Sequence, residues 1–175
     1  EAGILPAPDT IYLPLGTTGS TAGLALGLKM ADLDSRIQAI QVTPSSMRQD
    51  LYFARLFSET CKELNARDVH VPLLTDPFAQ TELRTDQLGK GYAMPTEAAR
   101  QAARMMDERL GFPASLTYTA KAMAGLIADA RKQMLKGQQV LFWNTYNAQP
   151  YPGFPAANDS EALPKSLHEF FTVPE

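Results

Sequence analysis

The stretch Leu13-Pro14-Leu15-Gly16-Thr17-Thr18-Gly19-Ser20-Thr21-Ala22-Gly23-Leu24-Ala25-Leu26-Gly27-Leu28-Lys29 joins an apolar run to a helical run through a turn of glycine and hydroxyl residues. The first turn of a helix carries backbone N–H groups with no intrahelical acceptor, and the peptide dipoles add partial positive charge at that end. A strand that feeds straight into such a turn makes a cradle for an anion. Gly16 and Gly19 permit close approach of the backbone, and Thr17, Thr18, Ser20 and Thr21 add hydroxyl donors. No lysine sits inside the loop, and neither the GxxxxGKS/T spacing nor GxGxxG is present, so a monophosphate ester fits better than a triphosphate or a dinucleotide. A glycine-rich turn that holds no ligand is the alternative.

Working outward, Thr10 to Leu15 reads as a short buried strand and Thr21 to Ala31 as a helix rich in Ala, Gly and Leu. Arg36 to Val42 is the next strand. Ser45 or Ser46 offers an N-cap for a long helix through about Leu64, with apolar positions Leu51, Phe53, Ala54, Leu56, Phe57 and Cys61. Val69 to Leu74 is expected to add a strand, and the polar segment Thr75 to Gly91 a long surface connection. A helix from Thr96 to about Leu110 stops at Gly111, Ser115 to Tyr118 reads as a brief strand, and a helix from Ala120 to Leu135 ends at Lys136-Gly137. Gln139 to Trp143 closes the series as a strand, and the proline-rich Pro150 to Pro155 leaves the sheet. Strands alternating with helices imply an α/β fold, a largely parallel twisted sheet flanked by helices in three layers. Ligands of such sheets bind beyond the carboxyl ends of the strands. Three places qualify: the cradle, Tyr118-Thr119, and Asn144-Thr145-Tyr146-Asn147.

Composition narrows the partners. The chain has 175 residues, 45% of them hydrophobic, and a formal net charge of −3, which gives a single domain with a real core and no electrostatic footprint for nucleic acid. No apolar run reaches the length of a membrane span, and the first residues show neither a basic nor an apolar leader segment. The one cysteine, Cys61, excludes an internal disulfide and reads as a structural residue, which is compatible with a cytoplasmic protein. His70 and His168 are the only histidines and neither has a second ligand at metal spacing, so no metal site is expected and no Ser/His/Asp triad can be assembled.

Gly16-Thr17-Thr18-Gly19-Ser20-Thr21-Ala22-Gly23, Gly91-Tyr92-Ala93-Met94-Pro95 and Leu116-Thr117-Tyr118-Thr119-Ala120-Lys121-Ala122-Met123-Ala124-Gly125, in that order, resemble the pyridoxal-phosphate enzymes of fold type II. Within them the chain is most similar to the D-cysteine desulfhydrase and 1-aminocyclopropane-1-carboxylate deaminase family, over about Thr10 to Thr145. The resemblance implies that Thr17, Thr18, Gly19, Ser20 and Thr21 hold the phosphate of pyridoxal 5'-phosphate, that Tyr92 lies near a small amino-acid substrate, and that Tyr118 binds substrate or transfers a proton. It places Thr119 at the pyridine nitrogen. A carboxylate there would keep the ring protonated as a strong electron sink, and a hydroxyl does not. That favours β-elimination, from D-cysteine to pyruvate, ammonia and sulfide, over opening of a cyclopropane ring.

Two departures from the family pattern stand out. Asn144-Thr145 follows the last strand where the family carries a Thr-Gly-Gly-like turn, so Asn144 and Thr145 are expected as cofactor contacts on position alone. The Schiff-base lysine of these enzymes lies upstream of everything in this chain, and neither Lys29 nor Lys121 aligns with it. The expectation is therefore a carboxyl-terminal, cofactor-binding portion (1–175) of a longer enzyme, inactive without its amino-terminal half, and a homodimer as the resemblance implies. A non-catalytic phosphate-ester module is the competing reading. A nucleotide-binding oxidoreductase needs an acidic ribose ligand after the second strand, which Gln41-Val42-Thr43-Pro44 does not offer.

Overall fold

Alternation of side chains along the first two strands sets the layers. The computed structural model describes residues 6–44, 46–147 and 164–166. Its elements in order are β1 (Thr10–Leu15), α1 (Gly19–Met30), β2 (Arg36–Gln41), α2 (Gln49–Arg67), β3 (Thr81–Arg84), α3 (Glu97–Met105) with a π-helical turn Met106–Leu110, α4 (Thr119–Arg131) and β4 (Val140–Phe142). The strands form one parallel sheet in the order β3-β2-β1-β4. Ile11, Leu13, Leu15, Ile37 and Ala39 face one side and pack with Ala22, Ala25, Leu26, Phe53 and Phe57 of α1 and α2. Tyr12 and Ile40 face the other side and pack with Ala122 of α4. A further cluster of Ala102, Met106, Met123 and Ala124 joins α3 to α4.

Each helix carries the pattern that buries it. In α2, Gln49, Phe53, Phe57 and Cys61 recur every four residues and are all buried, so one narrow face docks on α1. Burial of each phenylalanine contributes about 2 kcal/mol. The α3 helix is capped by Thr96, whose hydroxyl accepts from the Ala99 N–H at 3.0 Å. Its end is closed by Gly111 at φ 66°, with the Gly111 and Phe112 N–H groups donating to Asp107 and Met106 carbonyls. Pro14 is tolerated in central β1 because the β1–β4 ladder ends at Tyr12–Phe142. The Tyr12 carbonyl accepts from the Trp143 N–H on that side, and backbone alternation puts the imino position of Pro14 beyond the last rung.

Several sequence expectations are corrected. Val69 to Leu74 forms no strand; Val69 is exposed, and the edge position beside β2 is filled by Thr81–Arg84, inside the segment expected to be irregular. Ser115 to Tyr118 is a turn, its Ser115 carbonyl accepting from the N–H groups of Tyr118 and Ala120, and the place beside β1 belongs to β4. The α1 helix starts at Gly19 rather than Thr21, α4 ends at Arg131 rather than Leu135, and α2 is preceded by Arg48 at the cap position. Ser45, His168 and the proline-rich Pro150 to Pro155 lie outside the described residues.

Candidate functional site

The cradle lies at the carboxyl end of β1, where a parallel sheet opens its crevice. Thr18 caps α1 with φ 64° and ψ −11°, a left-handed conformation that costs a threonine roughly 1 kcal/mol or more. Its side chain makes no capping hydrogen bond, and its carbonyl accepts from the Ala22 N–H at 2.9 Å. The first residues of α1, Gly19, Ser20 and Thr21, whose N–H groups have no acceptor within the helix, border the space above β1. Thr21 strengthens the case for an anion: it is 1% exposed, and its hydroxyl has no hydrogen-bond partner among the described residues. An unpaired buried hydroxyl costs about 1–3 kcal/mol, so its retention at the mouth of a donor-rich turn fits a phosphate oxygen as the missing partner.

That space is a cavity of about 450 Å³. Its lining includes Thr17, Thr18, Gly19, Ser20 and Thr21 on one side and Tyr92 and Tyr118 on another, with Thr145 past the end of β4. Tyr92 and Tyr118 come from segments 26 positions apart, and their hydroxyls share a hydrogen bond while the rings meet edge to face at 6.0 Å. The bond to Tyr92, with a smaller effect of burial, pushes the Tyr118 phenol above its ordinary value. Six expected cofactor contacts and both expected catalytic tyrosines thus line one cavity.

Two expected contacts do not. Thr119 is fully buried and outside the lining; it opens α4, and its hydroxyl accepts from the Ser115 N–H at 2.9 Å, closing the turn that replaced the expected strand. Asn144 is exposed, and its side-chain carbonyl accepts from the Tyr146 N–H at 3.2 Å in a local turn. Gly16 of the turn also lines it, and Pro14, Thr43, Pro44 and Met47 complete the lining without having been singled out as contacts. Their signal was positional, since the last three follow the carboxyl end of β2. Gln41 and Gln49 hold that wall: the Gln41 amide donates to the Thr43 carbonyl at 3.1 Å, and the Gln49 amide to the Thr43 hydroxyl at 2.6 Å.

Among the described residues lining the cavity there is no lysine, and no group of three or more metal-ligating side chains is found among the described residues. No helix among them is long and apolar enough to cross a membrane.

Known proteins share this fold and part of this sequence. The chain is 28% identical over 142 residues to D-cysteine desulfhydrases of Yersinia pestis (strain Pestoides F) and Yersinia pseudotuberculosis serotype O:1b (strain IP 31758), an alignment covering 80% of this chain. It spans 40% of the length of these relatives. It also superimposes on the crystal structure of an ACC deaminase homologue with a TM-score of 0.69 and 28% identity, covering 82% of this chain and 41% of that one. Residues 1–145 match the family described as pyridoxal-phosphate dependent enzyme, and the chain, with its parallel sheet and cradle of fold type II, belongs to that family.

Proposed function

We propose that the chain is the carboxyl-terminal, cofactor-holding portion of a lyase that converts a small β-substituted amino acid, of the D-cysteine kind, with water into pyruvate, ammonia and the β-leaving group, here sulfide. The observation that carries the reading is the placement of the Tyr92–Tyr118 pair across one cavity from the orphaned Thr21 hydroxyl. Thr17, Thr18, Gly19, Ser20 and Thr21 would hold the phosphate of pyridoxal phosphate through backbone N–H groups and hydroxyls. When bound, that group supplies the electron sink that makes the substrate Cα–H acidic.

The chain's own residues then handle protons and water. A phenol whose pKa is raised stays protonated at neutral pH, so Tyr118 Oη acts as a donor to the departing sulfur rather than as a base. Tyr92 keeps that hydroxyl oriented through their shared hydrogen bond. Thr119 lies outside the lining with its hydroxyl engaged by the Ser115 N–H, so it is proposed to shape the turn that carries Tyr118 rather than to touch the ring nitrogen. Thr145 is proposed as a further contact, and Asn144 as the turn residue that presents it. The described cavity lining offers no carboxylate to keep a ring nitrogen protonated, which favours elimination over the ACC deaminase reaction.

We infer further that residues 1–175 alone do not turn over substrate, because the described cavity lining offers no amine and the Lys121 ammonium is spent on backbone carbonyls. A homodimer completed by an amino-terminal half of the same polypeptide is the proposed working state. The test is binding of pyridoxal phosphate by the natural full-length protein, followed by release of pyruvate and sulfide from D-cysteine. Binding without release from any β-substituted amino acid would favour the non-catalytic module, and absence of binding would overturn both.

A further inference from the structure

Lys121 is the one fully buried lysine among the described residues, and it lies in the first turn of α4, where the helix dipole disfavours a cation. No carboxylate among the described residues forms an ion pair with it. Instead its Nζ donates to the Leu88 carbonyl at 2.7 Å and the Gly91 carbonyl at 2.9 Å. Both acceptors belong to the connection between β3 and α3, in which Gly89, Gly91 and Ala93 all have positive φ. The two glycines take such a φ freely, but Ala93 at φ 56° does not, so its conformation is held by the surroundings rather than by local preference.

Tyr92 directly follows the second acceptor, and its hydroxyl reaches Tyr118, three residues before Lys121 and at the threshold of the same helix. The start of α4 therefore grips the connection twice, at its backbone through Lys121 and at its side-chain tip through Tyr118. We propose that Lys121 is a positioning residue, a latch that fixes the Gly91–Tyr92 backbone so that the Tyr92 hydroxyl meets Tyr118 at the wall of the cavity. Burial without a counter-ion lowers the Lys121 pKa, a cost consistent with selection for geometry rather than for charge. The proposal deepens the functional reading above by assigning the element that sets the tyrosine pair, and it rests on that reading only for its effect on turnover.

The test uses the natural full-length protein and its Lys121→Met variant, similar in length but unable to donate. Amide exchange is followed by NMR at Leu88 and Met94, whose N–H groups donate to Thr85 and Gly91 carbonyls at 3.0 and 3.4 Å. In the unsubstituted protein these amides should exchange within about tenfold of the first turn of α4, because the latch makes one cooperative unit of the two. Exchange at the rate of an unstructured peptide overturns the latch without recourse to any variant. In Lys121→Met, exchange at both amides should rise about ten- to a hundredfold while α4 holds. The Tyr118 phenolate signal, isolated by difference against Lys121→Met/Tyr118→Phe, should fall back toward an ordinary tyrosine. Pyridoxal-phosphate binding should stay within about threefold, since the cradle is a separate element. Unchanged exchange and unchanged Tyr118 titration in a folded variant overturn the proposal. Should the variant loosen α4 as well, the unsubstituted protein's exchange decides. A protein that binds no pyridoxal phosphate refutes the functional reading and leaves both exchange measurements intact.

Discussion

The Tyr12 hydroxyl donates to Asp129 Oδ2 at 2.6 Å, joining the middle of β1 to the last turns of α4 across 117 residues of sequence. Asp129 also receives the Arg84 guanidinium from β3, and Arg84 Nη2 reaches Asp86 Oδ2 at 2.9 Å. The network ties β1 and β3, the two neighbours of β2, to α4, the helix that holds Lys121 and is capped by Tyr118. Tyr12→Phe removes one hydrogen bond to a charge and should cost about 1.5–2 kcal/mol. Asp129→Ala leaves a largely buried arginine with Asp86 as its one remaining carboxylate and should cost about 2–3 kcal/mol, both read from denaturant midpoints at constant slope.

Alkaline stability should depend on the same tyrosine. Burial, and then the bond to Asp129, push the Tyr12 phenol above its ordinary value of 10.0. Above pH 10 the unfolded chain releases a proton that the native state retains, so stability falls with rising pH, at up to about 1.4 kcal/mol per unit from this group. Lys121 has the opposite sign: its lowered pKa means that the native state binds fewer protons below 10.5, and stability rises with pH there. Denaturation series at increasing pH should show a shallower alkaline loss in Tyr12→Phe than in the parent. Equal slopes would place the Tyr12 proton outside the linkage.

Thr21→Val separates ligand holding from folding. The hydroxyl it removes is buried with no partner among the described residues, so without ligand the variant should be more stable, by about 1–2 kcal/mol. Pyridoxal-phosphate binding should weaken about tenfold, measured by equilibrium titration. A destabilised protein with unchanged binding would mean that the hydroxyl serves the fold instead.

For Tyr118→Phe the expected signature is a fall in kcat of about a hundredfold with little change in cofactor affinity, as for loss of a proton donor. Tyr92→Phe should fall less, because the remaining phenol keeps its own O–H. Steady-state kinetics of sulfide release check both.

The contact between α4 and β2 passes through Gly125, where an added Cβ would lie 3.0 Å from Ile40 Cδ1. Gly125→Val should cost about 2–3 kcal/mol in thermal or denaturant unfolding through overpacking. A neutral result would mean that the Ile40 side chain moves aside freely.

The elements that were legible in the sequence are those whose pattern is their own cause. The apolar run of β1, the Gly/Thr turn after it, Phe53, Phe57 and Cys61 among the apolar positions of the long helix, and the Gly111 stop each state a local preference that the fold then uses; Gln49 joined that face, and Leu51 left it, only in the structure. The strand Thr81–Arg84 was illegible because an edge strand needs only one buried apolar face, and here Leu83 is flanked by polar residues that pair laterally, as Gln38 does with Glu82 at 3.1 Å. Val69 to Leu74 carries the composition of a strand and has no strand to pair with.

Sequence alone determined the cradle, the parallel α/β class, and the two tyrosines as a pair of candidates, because backbone donors, side-chain period and family motifs are all written locally. Only the tertiary structure decided that Tyr92 and Tyr118 share a hydrogen bond at one cavity, that Thr119 closes a turn outside the lining while Thr43, Pro44 and Met47 enter it, and that the Lys121 ammonium donates to the Leu88 and Gly91 carbonyls. Those facts are distances between segments far apart in the chain, and they are set by how α4 packs on the sheet, which no local pattern encodes.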